Sequence, residues 1–142
     1  MKLEIKHLAP YLEYELQIQF ILGGEVVNTN TLSRIIIDNN RFYPIVIGND
    51  KYTIERIGMF KPILKSLHDF EDSDIEKVKE FMGVGNWCKL YNHFFDAFFD
   101  DSQNIHNIIF QASYNILQYF FANHYDVFGL IPAGLAIDIK II

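Results

Sequence analysis

A single cysteine, Cys88, leaves no partner for an internal disulfide, and a structural zinc site built on it would need several histidines alongside. That usage fits a reducing compartment. Long apolar runs are also missing. No stretch approaches the roughly 20 residues of a membrane span, and Glu4 in MKLEIKHLAP interrupts any signal-peptide core. The chain is therefore expected in the cytoplasm.

Positive charge is scarce in the second half. Residues 1–68 hold eight Lys/Arg against seven Asp/Glu, whereas residues 69–142 hold four against eleven, so the net charge of −6 belongs to the second half. Such a surface repels phosphate, and direct nucleic-acid binding would fall to Lys51, Arg56, Lys61 and Lys65. A few cations on strands and turns are ordinary surface, so no nucleic-acid partner is expected. A glycine-rich phosphate loop is absent too. Gly83-Val84-Gly85 lacks the third glycine and the lysine–hydroxyl pair, and it follows a predicted helix rather than a strand.

What the chain does have is apolar and aromatic mass. Half of its 142 residues are hydrophobic, with 13 Phe and 8 Tyr, enough for one packed domain over 1–142 and for aromatic surface left over as a contact patch. Leu12, Tyr14, Leu16, Ile18 and Phe20 alternate with Glu13, Glu15, Gln17 and Gln19, the two-residue period of a half-buried strand. Gly23-Gly24 and Asp38-Asn39-Asn40 read as turns, with a β-branched run at Ile35–Ile37 between them. Arg41–Ile47 and, after Gly48-Asn49-Asp50, Lys51–Ile57 read as further strands. Pro44 assigns its strand to an edge or a bulge. The N-terminal half thus predicts an antiparallel meander.

Past Pro62 the period becomes helical. Ser73 and Glu76 fit a capping box ahead of a stripe of Ile75, Val78, Phe81 and Met82, which Gly83 and Gly85 terminate. A second helix is predicted over Trp87–Phe99. A third is predicted from Ser102 to about Asn123, with Ile105, Ile108, Ile109, Ala112, Ile116, Leu117 and Phe120 facing inward, before a last strand at Leu135–Ile139. The class is α+β.

Candidate chemistry concentrates in NHFFDAFFDD, Asn92 to Asp101. At helical spacing Phe94, Phe95, Phe98 and Phe99 share one arc, and His93, Asp96 and Asp100 gather opposite, where they could offer an imidazole and two carboxylates to a divalent cation, with His106 joining from the next helix. An amphipathic helix yields the same arrangement without function. Asp100 and Asp101 also suit the start of the following helix. Cys88 and His93 stand on different faces. In His124-Tyr125-Asp126, neighbours do not face each other, so His124 reads as a helix C-terminal cation and Asp126 as the start of a turn. His7 and His68 stand alone. No catalytic residue, cofactor or metal follows from these patterns. Asp69, Phe70, Glu71, Asp72 and Asp74 are the candidate partner-binding set, an acidic segment with one aromatic anchor. Their alternative role is a solvated helix start.

Three segments, KHLAPYL (Lys6–Leu12), FKPILKSLHDF (Phe60–Phe70) and DVFGLIPAGLAIDI (Asp126–Ile139), resemble a group of small bacteriophage- and prophage-encoded proteins, particularly of Bacteroidota. Glu13 and Tyr14 stand where that group often has a proline, and Lys65-Ser66 where it commonly has Arg-Pro. The resemblance implies a phage accessory protein in the host cytoplasm and supplies no catalytic residue, cofactor or substrate. The functional expectation is a non-enzymatic protein that binds a host or phage protein, a host-defence inhibitor such as an anti-CRISPR being one version. The alternatives are a metal-dependent hydrolase or nuclease using His93, Asp96 and Asp100, and a phage structural or morphogenesis component.

Overall fold

The computed structural model describes residues 1–39, 41–46, 59–83, 85, 87–100 and 104–142. Strands β1 (Gln17–Leu22), β2 (Glu25–Asp38), β3 (Arg41–Val46), β4 (Met59–Leu64) and β5 (Ile137–Asp138) form one sheet in the order β3-β2-β1-β4-β5. The first four pair antiparallel, and β5 joins β4 in parallel. Helices α1 (Ile5–Leu8), α2 (Ile75–Met82), α3 (Lys89–Phe98), α4 (Ile105–Ile109) and α5 (Tyr114–Ala122) complete an α+β fold, as the sequence predicts. No helix among the described residues is long and apolar enough to cross a membrane. The predicted strand over Lys51–Ile57 lies outside the described residues, as do Ile47 and Ser102.

Gly23 and Gly24 carry φ of 61° and 82°, the paired positive values of a two-residue hairpin whose twist matches its strands. Ile18 and Phe20 of β1 point into the core together with Leu32 of β2. A bulge between Leu32 and Arg34 then shifts the register by one residue. Ile35 therefore packs inward, while its neighbour Ile36 is exposed. β3 with Pro44 is the outermost described strand, so the missing N–H disrupts no second ladder.

Two strand predictions are corrected. The alternation from Leu12 does not begin a strand: Ala9–Tyr14 is a 3-10 turn with Pro10 in its first positions, Glu15 takes a left-handed φ of 57°, and β1 starts at Gln17. Tertiary bonding wins over the local period here, through the neighbouring Tyr11, which is fully buried. Its hydroxyl donates to the Tyr125 carbonyl at 2.5 Å and accepts from the Val127 N–H at 3.3 Å. Pro62 does not open the helical half either. It lies inside β4 opposite Ile18, and pairing to β5 begins one residue later at Ile63. Because β4 lies beside β1 rather than β3, the meander ends at β3.

Two helix predictions also shift. The box ahead of α2 is Glu71 with Asp74, not Ser73 with Glu76: the Glu71 N–H donates to the Asp74 carboxylate at 2.9 Å, and Glu76 pairs with Lys79 instead. The single predicted third helix is two. Asn104 caps α4 through the His106 N–H at 3.1 Å, and Ser113 caps α5 through the Ile116 N–H at 3.5 Å. α5 ends in a Schellman motif. The Tyr125 and His124 N–H groups return to Phe120 and Phe121 carbonyls, His124 adopts φ of 61°, and the Tyr125 ring packs 5.3 Å from Phe120.

Two apolar clusters result. The helices, with Leu67 and Phe70, enclose one; the sheet, the Ala9–Tyr14 turn and Leu130 enclose the other; Phe121 packs against both. Each fully buried Leu, Ile or Phe contributes about 1.5–3 kcal/mol. Tyr11→Phe keeps the ring and removes both hydroxyl bonds, leaving the Val127 N–H and the Tyr125 carbonyl only their mutual 2.9 Å contact, so it should cost about 1–3 kcal/mol. Urea unfolding should show a lower midpoint at unchanged slope.

Candidate functional site

α3 buries Phe95 and Phe98 and leaves His93, Asp96 and Asp100 in solvent. His106 does not turn toward them: its ring lies at Gly129, where an added Cβ would stand 3.5 Å from the imidazole Cγ. Its Nδ1 is buried without a hydrogen-bond partner. Among the described residues, no three His, Cys, Asp or Glu side chains come close enough to share a metal ion. Cys88 is exposed at the N-terminus of α3.

The acidic segment is divided by the fold. Phe70 is 3% exposed and is the hub of an aromatic cluster, its ring within 6.5 Å of Phe95, Phe98, Phe99, Tyr119, Phe120 and Tyr125. It is therefore no docking anchor, a correction that follows from its position between the Leu67–Asp69 turn and the helices. The carboxylates stay at the surface with local work. Asp69 pairs with Lys140, Asp74 with the Glu71 N–H and Lys77, and Asp72 is exposed. Of the basic set, Lys61 stands opposite Gln19 on β4 and the Lys65 ammonium sits 5.6 Å over the Tyr125 ring. Lys51 and Arg56 lie outside the described residues.

Asp126 opens a turn, as the sequence implies, but from inside the protein. It is 1% exposed, and its carboxylate accepts the Leu130 N–H at 2.7 Å and the Ile131 N–H at 2.8 Å. Burial raises its pKa above the ordinary carboxylate value, against the opposing effect of these N–H groups. His7, also buried, accepts the Glu4 N–H through Nδ1 at 3.0 Å and lies 5.3 Å from the Phe128 ring. Burial holds its pKa below the usual imidazole value. With both Asp126 oxygens engaged by its own loop, this group is a clamp on residues 126–131.

A groove of about 360 Å³ lies between the Ala9–Tyr14 turn and α5. Pro10, Leu12, Glu13 and Tyr14 line it from the turn; Tyr114, Gln118 and Phe121, at i, i+4 and i+7, line it from one face of α5. Tyr114 is 72% exposed. Gln118 Nε2 donates to the Tyr114 hydroxyl at 3.2 Å, and the His124 ring binds the Tyr14 carbonyl, holding the turn against the end of α5. Partial burial and a hydrogen bond to Glu13 push the Tyr14 phenol up. The aromatic surface continues from Phe121 to Phe128 and on to Phe110, with ring centroids 5.9 and 5.8 Å apart. Sequence reading missed this groove, because its walls lie some hundred positions apart and only the surplus of aromatics hints at it. No protein-family model, curated protein or solved structure matches the chain.

Two expectations follow. His93→Ala and Asp96→Ala, at exposed positions, should each change stability by less than about 0.5 kcal/mol in urea unfolding. For Asp126, a raised folded pKa means that the folded state binds the proton more tightly than the unfolded chain. Its contribution is then fully present below the unfolded value and is lost as pH rises through the folded one. The stability gap between wild type and Asp126→Asn should therefore narrow as pH rises through that window, measured by urea unfolding across an acid pH series.

Proposed function

We propose that this is a non-enzymatic phage or prophage accessory protein that binds a host or phage protein, with the groove between the Ala9–Tyr14 turn and α5 as its contact surface. The observation that carries the reading is this solvent-open aromatic groove, with Tyr114 standing out of it. Tyrosine supplies large, stiff contact area with a polar tip, the side chain most suited to anchoring a partner. The resemblance at Lys6–Leu12, Phe60–Phe70 and Asp126–Ile139 supports the phage origin. The acidic second half suits a partner with a basic surface, such as a nucleic-acid-binding defence protein, and an anti-CRISPR inhibitor is the concrete version of this reading.

Affinity capture from phage-infected host lysate, with and without nuclease, tests it using wild-type and Tyr114→Ala baits. One stoichiometric protein should survive nuclease treatment and fall by roughly tenfold with the variant. Equal recovery on both baits, or a catch that nuclease removes, would sink the assignment of the groove.

A further inference from the structure

We infer that the groove takes a proline-rich segment in the polyproline II conformation, with a basic residue of that segment beside Glu13. This rests on the reading of the groove as the contact surface and names the chemistry of its occupant.

The lining selects among the ways a chain can bind. A polyproline II segment makes no internal hydrogen bonds, so it offers flat pyrrolidine rings and bare carbonyls together. Pro10, Leu12, Tyr14, Tyr114 and Phe121 give apolar and aromatic walls for such rings. Gln118 donates to the Tyr114 oxygen, which leaves the phenolic proton of Tyr114 free to donate to a carbonyl of the ligand. Glu13 lines the same groove beside Tyr14.

Charge decides the flank. Glu13 is the one charged residue of the lining, and no Lys, Arg or His stands there to receive a phosphate or an acidic peptide. A Lys or Arg in the ligand is the complement. Other modes lack their requirements. The lining residues come from a 3-10 turn and a helix, with no strand backbone for an added strand to join. An amphipathic helix satisfies its own carbonyls and would leave the Tyr114 proton without a use. The walls are also held in place before binding, by the His124 contact to the Tyr14 carbonyl and by Phe121 packed on both clusters, which limits the ordering cost.

The test is a titration of the full isotope-labelled chain, followed by amide chemical shifts, with a synthetic proline-rich peptide ending in arginines. Parallel probes replace its prolines by alanine, replace its arginines by glutamate, or supply an amphipathic helix-forming peptide. Saturable shifts clustered on Ala9–Tyr14 and Tyr114–Phe121 are expected with the first peptide, weakened by about tenfold or more with each replacement. Tyr114→Phe should weaken binding while keeping the spectrum of a folded chain. Glu13→Gln should erase the preference for arginine over glutamate. No saturable shift with the proline peptide, or tighter binding of the helical one, overturns the inference. If lysate capture through Tyr114 persists in that case, the binding-protein reading stands and only the occupant is wrong. If the peptide binds and no partner is captured, the reverse holds.

Discussion

The Tyr11 hydroxyl joins parts of the chain more than a hundred residues apart, donating to the Tyr125 carbonyl and accepting from the Val127 N–H inside the protein. Burial pushes its ionisation far up, so the phenol stays neutral and can hold both bonds at once. Around it the parallel contacts accumulate: Lys65 exchanges backbone bonds with His124 and Asp126, and the Tyr11 ring meets Phe121 edge-on at 5.0 Å. These contacts tie the sheet cluster to the end of α5. They add to the β1–β2 and β1–β4 ladders and to the His124 contact with the Tyr14 carbonyl in fixing the Ala9–Tyr14 turn and the strand behind it.

The same turn serves two faces. Its Tyr11 is the internal post, while Pro10, Leu12 and Tyr14 face the groove opposite α5. The threefold period of the 3-10 turn accounts for Leu8 and Tyr11, three apart and both fully buried, with Pro10 and Leu12 on its other sides. The Schellman end of α5 completes the arrangement, because the left-handed His124 both stops the helix and turns its ring onto the Tyr14 carbonyl. The groove is thus built from backbone stops rather than from a catalytic constellation, and the buried Asp126 beneath the same region is consumed by its own loop.

Much of the helical half was legible because its signal is local. The phenylalanine arc of α3 and the stop at Gly83 follow from spacing within one element. The inward residues between Ile105 and Phe120 were readable too, although the predicted helix is broken by Ser113. Both pieces pack on one cluster, so the period survives the interruption. Phe70 was misread for the opposite reason. Its acidic neighbours mark a surface segment, and nothing nearby tells that the one aromatic among them turns inward to meet rings from α3 and α5. β4 was missed because Pro62 argues against a strand unless its second neighbour is known to begin at Ile63.

By itself, the sequence determined the α+β class, the Gly23-Gly24 hairpin and the wet face of His93, Asp96 and Asp100, and narrowed Pro44 to an edge or a bulge, since each depends on side-chain period or on backbone freedom within a few residues. The tertiary structure alone decided that Leu12 and Tyr14 leave the strand, that β4 pairs with β1, that Phe70 is core, and that Tyr14 meets Tyr114 across a groove. Each of these is a contact between distant segments, whose burial and hydrogen bonding outweigh local preferences that differ by fractions of a kcal/mol per residue.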